Sequence, residues 1–293
     1  MKRAIVTGAT GFLGFALLKE LIQNGVYVYA LCRKNSKRIL RLNGLSNVEV
    51  IEVDMNCLEP INRLGGCDVF YHLAWGGGRY DFEGQYENIQ QSINCLKLAS
   101  ELGCKRFICT GSQAEFGNTA GPITEETALE PTNAYGACKV AAYYLTAELA
   151  AQLNIEHTWA RIFSVYGPSD TQNTLIVKLL NELGSTGEAW LSTDGGHIWN
   201  YLHEEDAARA LYLLGVIQNS NTVYNVASRE CKPLKEFVED LRKAFGETVM
   251  VHYGAEKSSI NLNVFPEKLI NTAGEYENHS FAKSIKDMVS HSE

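Results

Sequence analysis

The sequence predicts an α/β fold in which a doubly wound parallel β-sheet carries helices on both faces, with a smaller C-terminal α/β lobe attached. Over the first half of the chain, short apolar segments alternate with segments of helical periodicity. The short segments are apolar at almost every position, which is typical of parallel strands buried on both faces. A glycine-rich turn also joins the first predicted strand to the first predicted helix.

Each element is predicted from its length and its hydrophobic period. The first helix, for example, is expected to end before Gly25, because glycine readily adopts the left-handed conformation that follows many helices. Strands and helices that alternate at this spacing build a sheet of parallel strands. The predicted strands cover residues 4–7, 26–32, 48–53, 69–73, 106–110, 157–163 and 222–226, and the predicted helices cover residues 12–24, 86–102, 134–153 and 206–217.

The regular alternation stops after residue 167 and resumes near residue 203. We therefore predict a main domain of residues 1–167 plus 203–228, and a smaller lobe of residues 168–202 plus 229–293. In open parallel sheets, ligands bind outside the carboxyl ends of the strands. A lobe that closes over these strand ends would bind the substrate.

The composition excludes several functions. The net charge of the 293 residues is −8, which argues against nucleic acid as a partner because nucleic-acid-binding proteins usually present a basic surface. No apolar run is long enough to cross a membrane, and the N-terminus lacks the features of a signal peptide. The eight cysteines form no CxxC pair, so we expect no metal site and interpret them as reduced thiols of a cytoplasmic protein.

The glycine-rich turn at residues 7–14, Thr-Gly-Ala-Thr-Gly-Phe-Leu-Gly, indicates a dinucleotide site. Gly8 permits a tight turn, Gly11 lets the backbone approach a pyrophosphate, and Gly14 lets the helix pack closely against the sheet. The N–H groups at the start of the helix then face the negative charge. Spaced glycines alone also occur in plain turns, but here a strand precedes them and a helix follows.

The residues after the second strand suggest which dinucleotide binds. NAD sites usually carry an acid there for the ribose 2′-hydroxyl, whereas this chain has Arg33 and Lys34, followed by Lys37 and Arg38. A guanidinium suits a 2′-phosphate, so the sequence favours NADP(H) over NAD(H). The alternative is a basic loop that is simply solvated.

Tyr135 and Lys139 are the predicted chemical centre. Their i to i+4 spacing places the phenol and the ammonium on one face of a helix. The ammonium favours the ionised phenol, so that the phenol can exchange a proton with a carbonyl oxygen while a nicotinamide exchanges the hydride. Ser112, at a strand end, would donate a hydrogen bond to the same oxygen. A tyrosine packed at a helix start and a solvated lysine are the plainer alternatives, because YxxxK is common.

Together with the glycine turn, these motifs resemble the extended short-chain dehydrogenase/reductase family, whose members mostly act on nucleotide-linked sugars. The segments YHLAW (71–75), ARIFSVYGP (160–168) and YLHEEDAARAL (201–211) match as well. The resemblance spans nearly the whole chain and implies a Rossmann-type fold, with the main domain binding NADP. The family often dimerises through helices at 88–103 and 135–153, so a homodimer is expected.

The resemblance also implies residue roles. Asp54 and Met55 should lie beside the adenine, and Lys139 should bind the nicotinamide ribose. Trp75 is expected in a substrate loop, although ordinary packing is an equally good interpretation. The implied cofactor-binding residues are Gly8, Thr10, Gly11, Phe12, Leu13, Gly14, Arg33, Asp54, Met55, Leu73, Ala74, Tyr135 and Lys139, and the implied substrate-binding residues are Trp75, Ser112, Gln113, Tyr135 and Ser164.

Two departures from the family's pattern bear on which reaction the protein catalyses. Dehydratases of the family carry an Asp-Glu pair where this chain has Gln113 and Ala114, so dehydration is disfavoured. Glu115 is one position away, and we interpret it as a polar residue at a turn. Trp199 and Asn200 stand where many relatives carry Arg-Asp, with the arginine on the substrate diphosphate.

The sequence therefore favours an NADPH-dependent reductase of a nucleotide-diphospho-4-keto-6-deoxy sugar, with hydride delivery to C4 and Tyr135 as proton donor. The principal alternative is an NAD-dependent nucleotide-sugar 4-epimerase. Reduction of a non-sugar ketone stays open because of Trp199. A nucleotide sensor without turnover is disfavoured, because Tyr135 and Lys139 are both present.

Overall fold

The computed structural model describes residues 1–58, 61, 64–119, 121–170, 174–218 and 222–290. The predicted domain ranges include residues outside this part, among them 171–173, 219–221 and 291–293. The elements in chain order are β1 (Arg3–Thr7), α1 (Phe12–Gln23), β2 (Tyr27–Arg33), β3 (Val48–Val53), β4 (Val69–His72), α2 (Phe82–Glu101), β5 (Arg106–Ser112), α3 (Ala134–Leu153), β6 (Glu156–Ile162), β7 (Val165–Tyr166), α4 (Leu175–Thr186), β8 (Glu188–Thr193), β9 (Ile198–Asn200), β10 (Leu202–His203), α5 (Glu204–Val216), β11 (Val223–Val226), β12 (Cys231–Pro233), α6 (Leu234–Phe245), β13 (Met250–Glu256), α7 (Glu267–Ala273) and α8 (Phe281–Ser290).

The central sheet confirms the predicted parallel α/β architecture. Within the described residues it has seven strands in the order β11-β6-β5-β4-β1-β2-β3, and every neighbouring pair is parallel. The order reverses between β1 and β4, with Val6 opposite Ala30 on one side and Tyr71 on the other. Such a switch point opens a crevice at the carboxyl ends of the strands.

Each face of the sheet is buried by its own pair of helices. Val6 belongs to the cluster that contains Leu17 of α1 and Leu211 of α5. Its neighbour Ile5 points the other way, into the cluster with Leu96 of α2 and residues of α3. Because successive residues of a strand face opposite sides, burial on both faces requires the nearly continuous apolar strands that the sequence contains.

The remaining elements form a smaller apolar cluster. Leu179 and Leu183 of α4 pack there with Phe237 of α6 and Ile285 of α8, beside the parallel pair β8 and β13. In contrast, α7 packs against β11 and α5, and its Leu269 belongs to the core of the main sheet. The division of the chain at residue 229 stays a prediction. Helix α7, which that division assigns to the smaller lobe, packs on the main sheet.

One difference from the predicted elements has a local cause. Helix α2 begins at Phe82 rather than at residue 86, because the carboxylate of Asp81 accepts a hydrogen bond from Gly84 N at 3.1 Å and caps the helix there. The exposed rings of Phe82 and Tyr86 obscure the apolar period in this first turn. In the described part of the chain, no helix combines the length and the apolar character that crossing a membrane requires.

Candidate active site

A cleft of about 900 Å³ lies at the carboxyl ends of β1, β2 and β4. Its position is the one expected for a ligand site at a topological switch point. All the residues predicted to bind the cofactor line this single cleft, namely Gly8, Thr10, Gly11, Phe12, Leu13, Gly14, Arg33, Asp54, Met55, Leu73, Ala74, Tyr135 and Lys139.

The glycine turn forms one wall of the cleft. Gly8 has a φ of +70°, and a Cβ there would lie 2.9 Å from the backbone nitrogen of Ala74. A Cβ on Gly14 would overlap the carbonyl oxygen of Gly8. The helix can therefore pack this closely against the turn only if residue 14 is glycine. Helix α1 has no side-chain cap at Gly11 and no acid in its first turn. Its first N–H groups therefore fit an anionic group such as a pyrophosphate.

A buried relay joins this turn to the loop after β4. His72 Nδ1 lies 2.9 Å from Thr7 Oγ1, and His72 Nε2 lies 3.1 Å from Ser92 Oγ. Because Ser92 donates to Asn88 O, Nε2 carries the proton and Nδ1 accepts from Thr7. Burial, together with the nearby charge of Lys139, lowers the pKa of His72 to about 3, so the ring is neutral.

Tyr135 and Lys139 share the floor of the cleft. Asn133 caps α3 by accepting from Gly136 N at 3.0 Å, which places Tyr135 in the first turn. Lys139 Nζ lies 5.8 Å from the centroid of the Tyr135 ring and donates to Thr110 O at 2.6 Å. The two side chains are thus on one face of the helix, as their spacing predicts.

Two neighbours complete the surroundings of Tyr135. The indole of Trp75 meets the Tyr135 ring edge to face, with centroids 6.3 Å apart. The guanidinium carbon of Arg79 lies 5.4 Å from the same ring, and Arg79 O accepts from Tyr135 N at 3.1 Å. Arg79 is not among the predicted site residues, because it follows the glycine run in a segment without hydrophobic periodicity.

Ser112 is held by Glu115. The Glu115 carboxylate accepts from Ser112 N at 2.7 Å, and the Ser112 hydroxyl accepts from Ala114 N at 3.2 Å. Fully buried, the same carboxylate pairs with Arg161 Nε at 2.7 Å and accepts from Trp159 Nε1. With these partners, Glu115 fixes the turn that carries Ser112, which agrees with its interpretation as a turn residue.

Gln113 and Ser164 lie beside Ser112 rather than on the cleft wall. Ser164 Oγ donates to Gln113 Oε1 at 3.3 Å, which joins the end of β5 to the loop after β6. These two residues and Ser112 are not among the residues that line the 900 Å³ cleft, whereas Trp75 is. Their predicted contact with a substrate stays a prediction.

The side of the cleft beyond β2 is basic. Arg33 is exposed, and Lys34 and Arg38 line the cleft beside it, with Asp54 of the β3 end opposite. This end therefore offers both cations for a phosphate and a carboxylate for a hydroxyl.

Other lining residues were not predicted. Asp170 and Thr174 precede α4 and hydrogen-bond each other at 2.8 Å. They come from a stretch of irregular spacing, so no local pattern indicated that they reach the main domain. The further unpredicted lining residues include Cys32, Val53, Gln91, Ile162 and Val165.

A separate cluster at the start of α5 contains two histidines, His203 of β10 and His279 of the segment before α8. His203 and His279 stack with centroids 4.0 Å apart, and their possible ligand atoms lie within 4.8 Å of one from Glu205. Stacked rings direct their lone pairs side by side rather than to one point, and Lys19 Nζ approaches Glu205 at 3.9 Å. With His279 also paired to Asp206 at 2.8 Å, the cluster fits a clamp between α5 and the 278–279 segment better than a metal site.

The parallel sheet, its switch point and the uncapped glycine turn define a dinucleotide-binding α/β enzyme class. The chain belongs to the NAD dependent epimerase/dehydratase family, whose sequence profile matches residues 4–227. This finding confirms the resemblance to the extended short-chain dehydrogenases/reductases.

Individual relatives are distant. The chain is 25% identical to a dTDP-6-deoxy-L-talose 4-dehydrogenase (NAD(+)) from Aggregatibacter actinomycetemcomitans, over 80% of this chain and 88% of that protein. It is 24% identical to a UDP-glucose 4-epimerase from Corynebacterium glutamicum, over 84% and 82% of the two chains. A crystal structure of UDP-glucuronic acid 4-epimerase from Bacillus cereus, in complex with UDP-glucuronic acid and NAD, superposes with a TM-score of 0.85 at 18% identity, over 99% of this chain and 100% of that one. The last likeness shows the fold.

Proposed function

We propose that the protein is an NAD-dependent nucleotide-sugar 4-epimerase. The observation that carries the proposal is the pair Tyr135 and Lys139 on the floor of the cleft, next to the glycine turn. Several relatives are named 4-epimerases. The comparisons therefore favour the epimerase over the reductase that the sequence analysis ranked first, and they favour NAD over NADP.

The residues of the cleft fit a dinucleotide. The first turn of α1 offers N–H donors to the pyrophosphate, and the relay from Thr7 to His72 fixes the loop at Leu73 and Ala74 against the turn. Lys139 has three N–H donors, of which Thr110 O takes one, so the ammonium can also bind a ribose hydroxyl. When bound, the nicotinamide supplies the acceptor and later the donor of the C4 hydride.

Tyr135 moves the proton of the reaction. As the C4 carbon is oxidised, the ionised phenol accepts the proton of the C4 hydroxyl, and on reduction it returns that proton to the C4 oxygen. The ammonium of Lys139, 5.8 Å from the centroid of the Tyr135 ring, places a positive charge beside the phenol. Ser112 donates a hydrogen bond to the C4 oxygen, because its hydroxyl already accepts from Ala114 N and keeps its own proton available. Inversion follows when the 4-keto sugar presents its other face before it is reduced.

The basic end of the cleft supports a second candidate, the NADPH-dependent 4-ketoreductase. Arg33, Lys34 and Arg38 line the cleft at the end of β2, where a 2′-phosphate would lie. One relative is named a dTDP-6-deoxy-L-talose 4-dehydrogenase (NAD(+)), so its name supports redox chemistry at C4 of a 6-deoxy sugar but pairs that chemistry with NAD rather than NADP. The two activities share the chemistry of Tyr135 and differ in whether the reduced cofactor leaves.

One experiment separates these functions. The purified protein is denatured and its supernatant is analysed for NAD and NADP, and then a panel of UDP-hexoses and UDP-hexuronates is incubated with intact protein without added cofactor. The proposal predicts bound NAD and inversion at C4 of one substrate. Consumption of added NADPH with a dTDP-4-keto-6-deoxyhexose, with every UDP-sugar inert, would show the reductase instead. Tyr135→Phe is the control for chemistry at this site.

We also propose that two copies associate through α2 and α3. These helices pack side by side and leave four large side chains exposed, Phe82 and Tyr86 on α2 and Tyr144 and Leu145 on α3. Sedimentation of the wild type and of Leu145→Glu tests this, because a charge at the interface should convert dimer to monomer.

A further inference from the structure

The ammonium of Lys139 is buried without an acidic partner. The residue is 2% exposed, and none of the ion pairs found within the described ranges includes it. Burying a cation in this way requires compensation. One carbonyl, Thr110 O, provides part of it at 2.6 Å.

The face of Trp75 provides the rest. Lys139 Nζ lies 3.6 Å from the centroid of the Trp75 ring, well within the range of a cation–π contact, and tryptophan gives the strongest such contacts. We propose that Trp75 is a positioning residue that holds the Lys139 ammonium in place for the cofactor and for Tyr135. This role differs from the substrate contact expected from the sequence, and it rests on the cofactor site of the proposed function.

Trp75 is itself held rigidly. Its indole N–H donates to Gln85 Oε1 at 2.6 Å, and Gln85 is fully buried. Gln85 Nε2 in turn donates to the carbonyls of Gly76 and Gly78, so one amide fixes both the indole and the loop that follows it. A ring anchored in this way can hold a cation with little further loss of rotamer freedom.

The arrangement orients both chemical groups together. The Trp75 and Tyr135 rings are nearly perpendicular, and the face of the Trp75 ring also meets the Lys139 ammonium. Thr110 O and the indole fix the ammonium from two directions and leave an N–H for a ligand hydroxyl. Without the ring, the ammonium would have one fixed partner, Thr110 O, and it would lose its orientation.

The test is a double-mutant cycle with a conservative variant. NAD is titrated into protein stripped of bound nucleotide, for the wild type, Trp75→Phe, Trp75→Leu, Lys139→Met and the double variant Trp75→Leu/Lys139→Met. Guanidinium unfolding is measured on the same five proteins. Trp190→Leu is the matched control, because Trp190 is 52% exposed and stacks on His252, far from the predicted cofactor residues in sequence.

We expect Trp75→Leu to weaken NAD binding about tenfold or more, and Trp75→Phe, which keeps a ring face, to weaken it about threefold or less. In the Lys139→Met background, Trp75→Leu should change NAD affinity by less than about twofold and shift the unfolding midpoint by less than about half of its shift alone.

Other outcomes overturn the proposal. If Trp75→Phe weakens NAD binding as much as Trp75→Leu does, the hydrogen bond from Trp75 to Gln85 holds the site together and the ring face does not. If Trp75→Leu raises KM for the sugar and leaves NAD affinity unchanged, Trp75 is a substrate contact. If the Trp75→Leu effects persist undiminished in the Lys139→Met background, the two residues do not act together. One further outcome separates the two proposals. If Trp75 and Lys139 are coupled in unfolding but the wild type does not bind NAD, the contact between these two residues is supported and the proposed function is overturned.

Discussion

The side-chain oxygen of Thr7 lies 2.9 Å from His72 Nδ1 and also accepts hydrogen bonds from the backbone N–H groups of Leu73 and Ala74, each at 3.1 Å. One hydroxyl therefore joins the end of β1, next to the glycine turn, to the loop that begins the opposite wall of the cleft. Replacement of Thr7 by the isosteric valine would leave two N–H groups without their acceptor. We expect Thr7→Val to lower the free energy of unfolding by about 2 kcal/mol.

Chemical unfolding of Thr7→Val and of Thr7→Ser measures this effect. Serine keeps the hydroxyl, so Thr7→Ser should retain most of the stability and the affinity for NAD. Equal stability of the valine variant and the wild type would show that the hydroxyl does not hold the two strand ends together.

His72 should make the fold sensitive to acid. Its pKa is lowered by burial to about 3, whereas an unfolded histidine titrates near 6.5. Below pH 6.5 the unfolded chain binds a proton at His72 that the folded chain does not bind. The contribution of His72 to the free energy of unfolding is therefore fully present above pH 6.5 and is lost as the pH falls toward 3. Between pH 8 and pH 5 this group should cost the wild type about 2 kcal/mol of unfolding free energy.

The comparison of wild type with His72→Gln at both pH values isolates that contribution. His157 and His203, whose pKa values burial lowers to about 4, stay in both proteins and so cancel in the difference. The wild type should lose about 2 kcal/mol more than the variant between the two pH values. Equal losses would show that His72 is not the buried neutral ring described here.

Glu115 should be essential for stability. Its carboxylate and the Arg161 guanidinium are both fully buried, 2.7 Å apart, and Trp159 adds a further hydrogen bond. Glu115→Gln leaves a buried guanidinium without its counter-ion, which should cost about 3–5 kcal/mol of unfolding free energy. The matched control is Glu275→Gln, because Glu275 and its partner Arg229 are 64% and 50% exposed, and the loss of this exposed pair should cost about 1 kcal/mol or less.

Activity distinguishes this role from a catalytic one. If Glu115→Gln unfolds like the wild type but has lost turnover, Glu115 is a proton carrier rather than the residue that fixes the Ser112 turn.

Arg33 should affect one form of the cofactor more than the other. The side chain is exposed at the end of β2, on the wall where the second ribose of a dinucleotide is expected. Arg33→Ala should weaken NADP binding about tenfold and change NAD binding by less than about twofold, because the guanidinium pairs with a phosphate. Fluorescence titration with both nucleotides measures the ratio, with Lys2→Ala as a control at an exposed basic position outside the cleft. A loss of NAD affinity equal to that of NADP would place Arg33 elsewhere on the cofactor.

Site residues that lie close together in the sequence could be predicted from short-range patterns. The glycine spacing of Gly8, Gly11 and Gly14 and the helical spacing of Tyr135 and Lys139 depend on local geometry, so the sequence contains them directly. The apolar strands predicted the parallel sheet for the same reason, since burial on both faces leaves little choice of side chain.

Contacts between distant segments could not be predicted in this way. Nothing near Trp75 in the sequence indicates that its ring receives the ammonium of Lys139, because that contact exists only once α3 packs against α2 and β5. The Thr7–His72 relay and the approach of Asp170 to the cleft are of the same kind. The β2 end illustrates the opposite problem. Arg33 is visible in the sequence, whereas its position beside the β3 end, which carries Asp54, depends on the pairing of β2 with β3.

The fate of the C4 hydrogen shows whether inversion proceeds by hydride transfer at C4. A UDP-hexose or UDP-hexuronate that carries deuterium at C4 and is inverted by the protein is incubated with wild type and with Tyr135→Phe, and the product is analysed by mass spectrometry. We expect the inverted product of the wild type to keep its deuterium at C4. We also expect Tyr135→Phe to lower the rate of inversion by about a thousandfold or more. Deuterium lost to solvent during inversion, or a Tyr135→Phe variant as fast as the wild type, would contradict this mechanism.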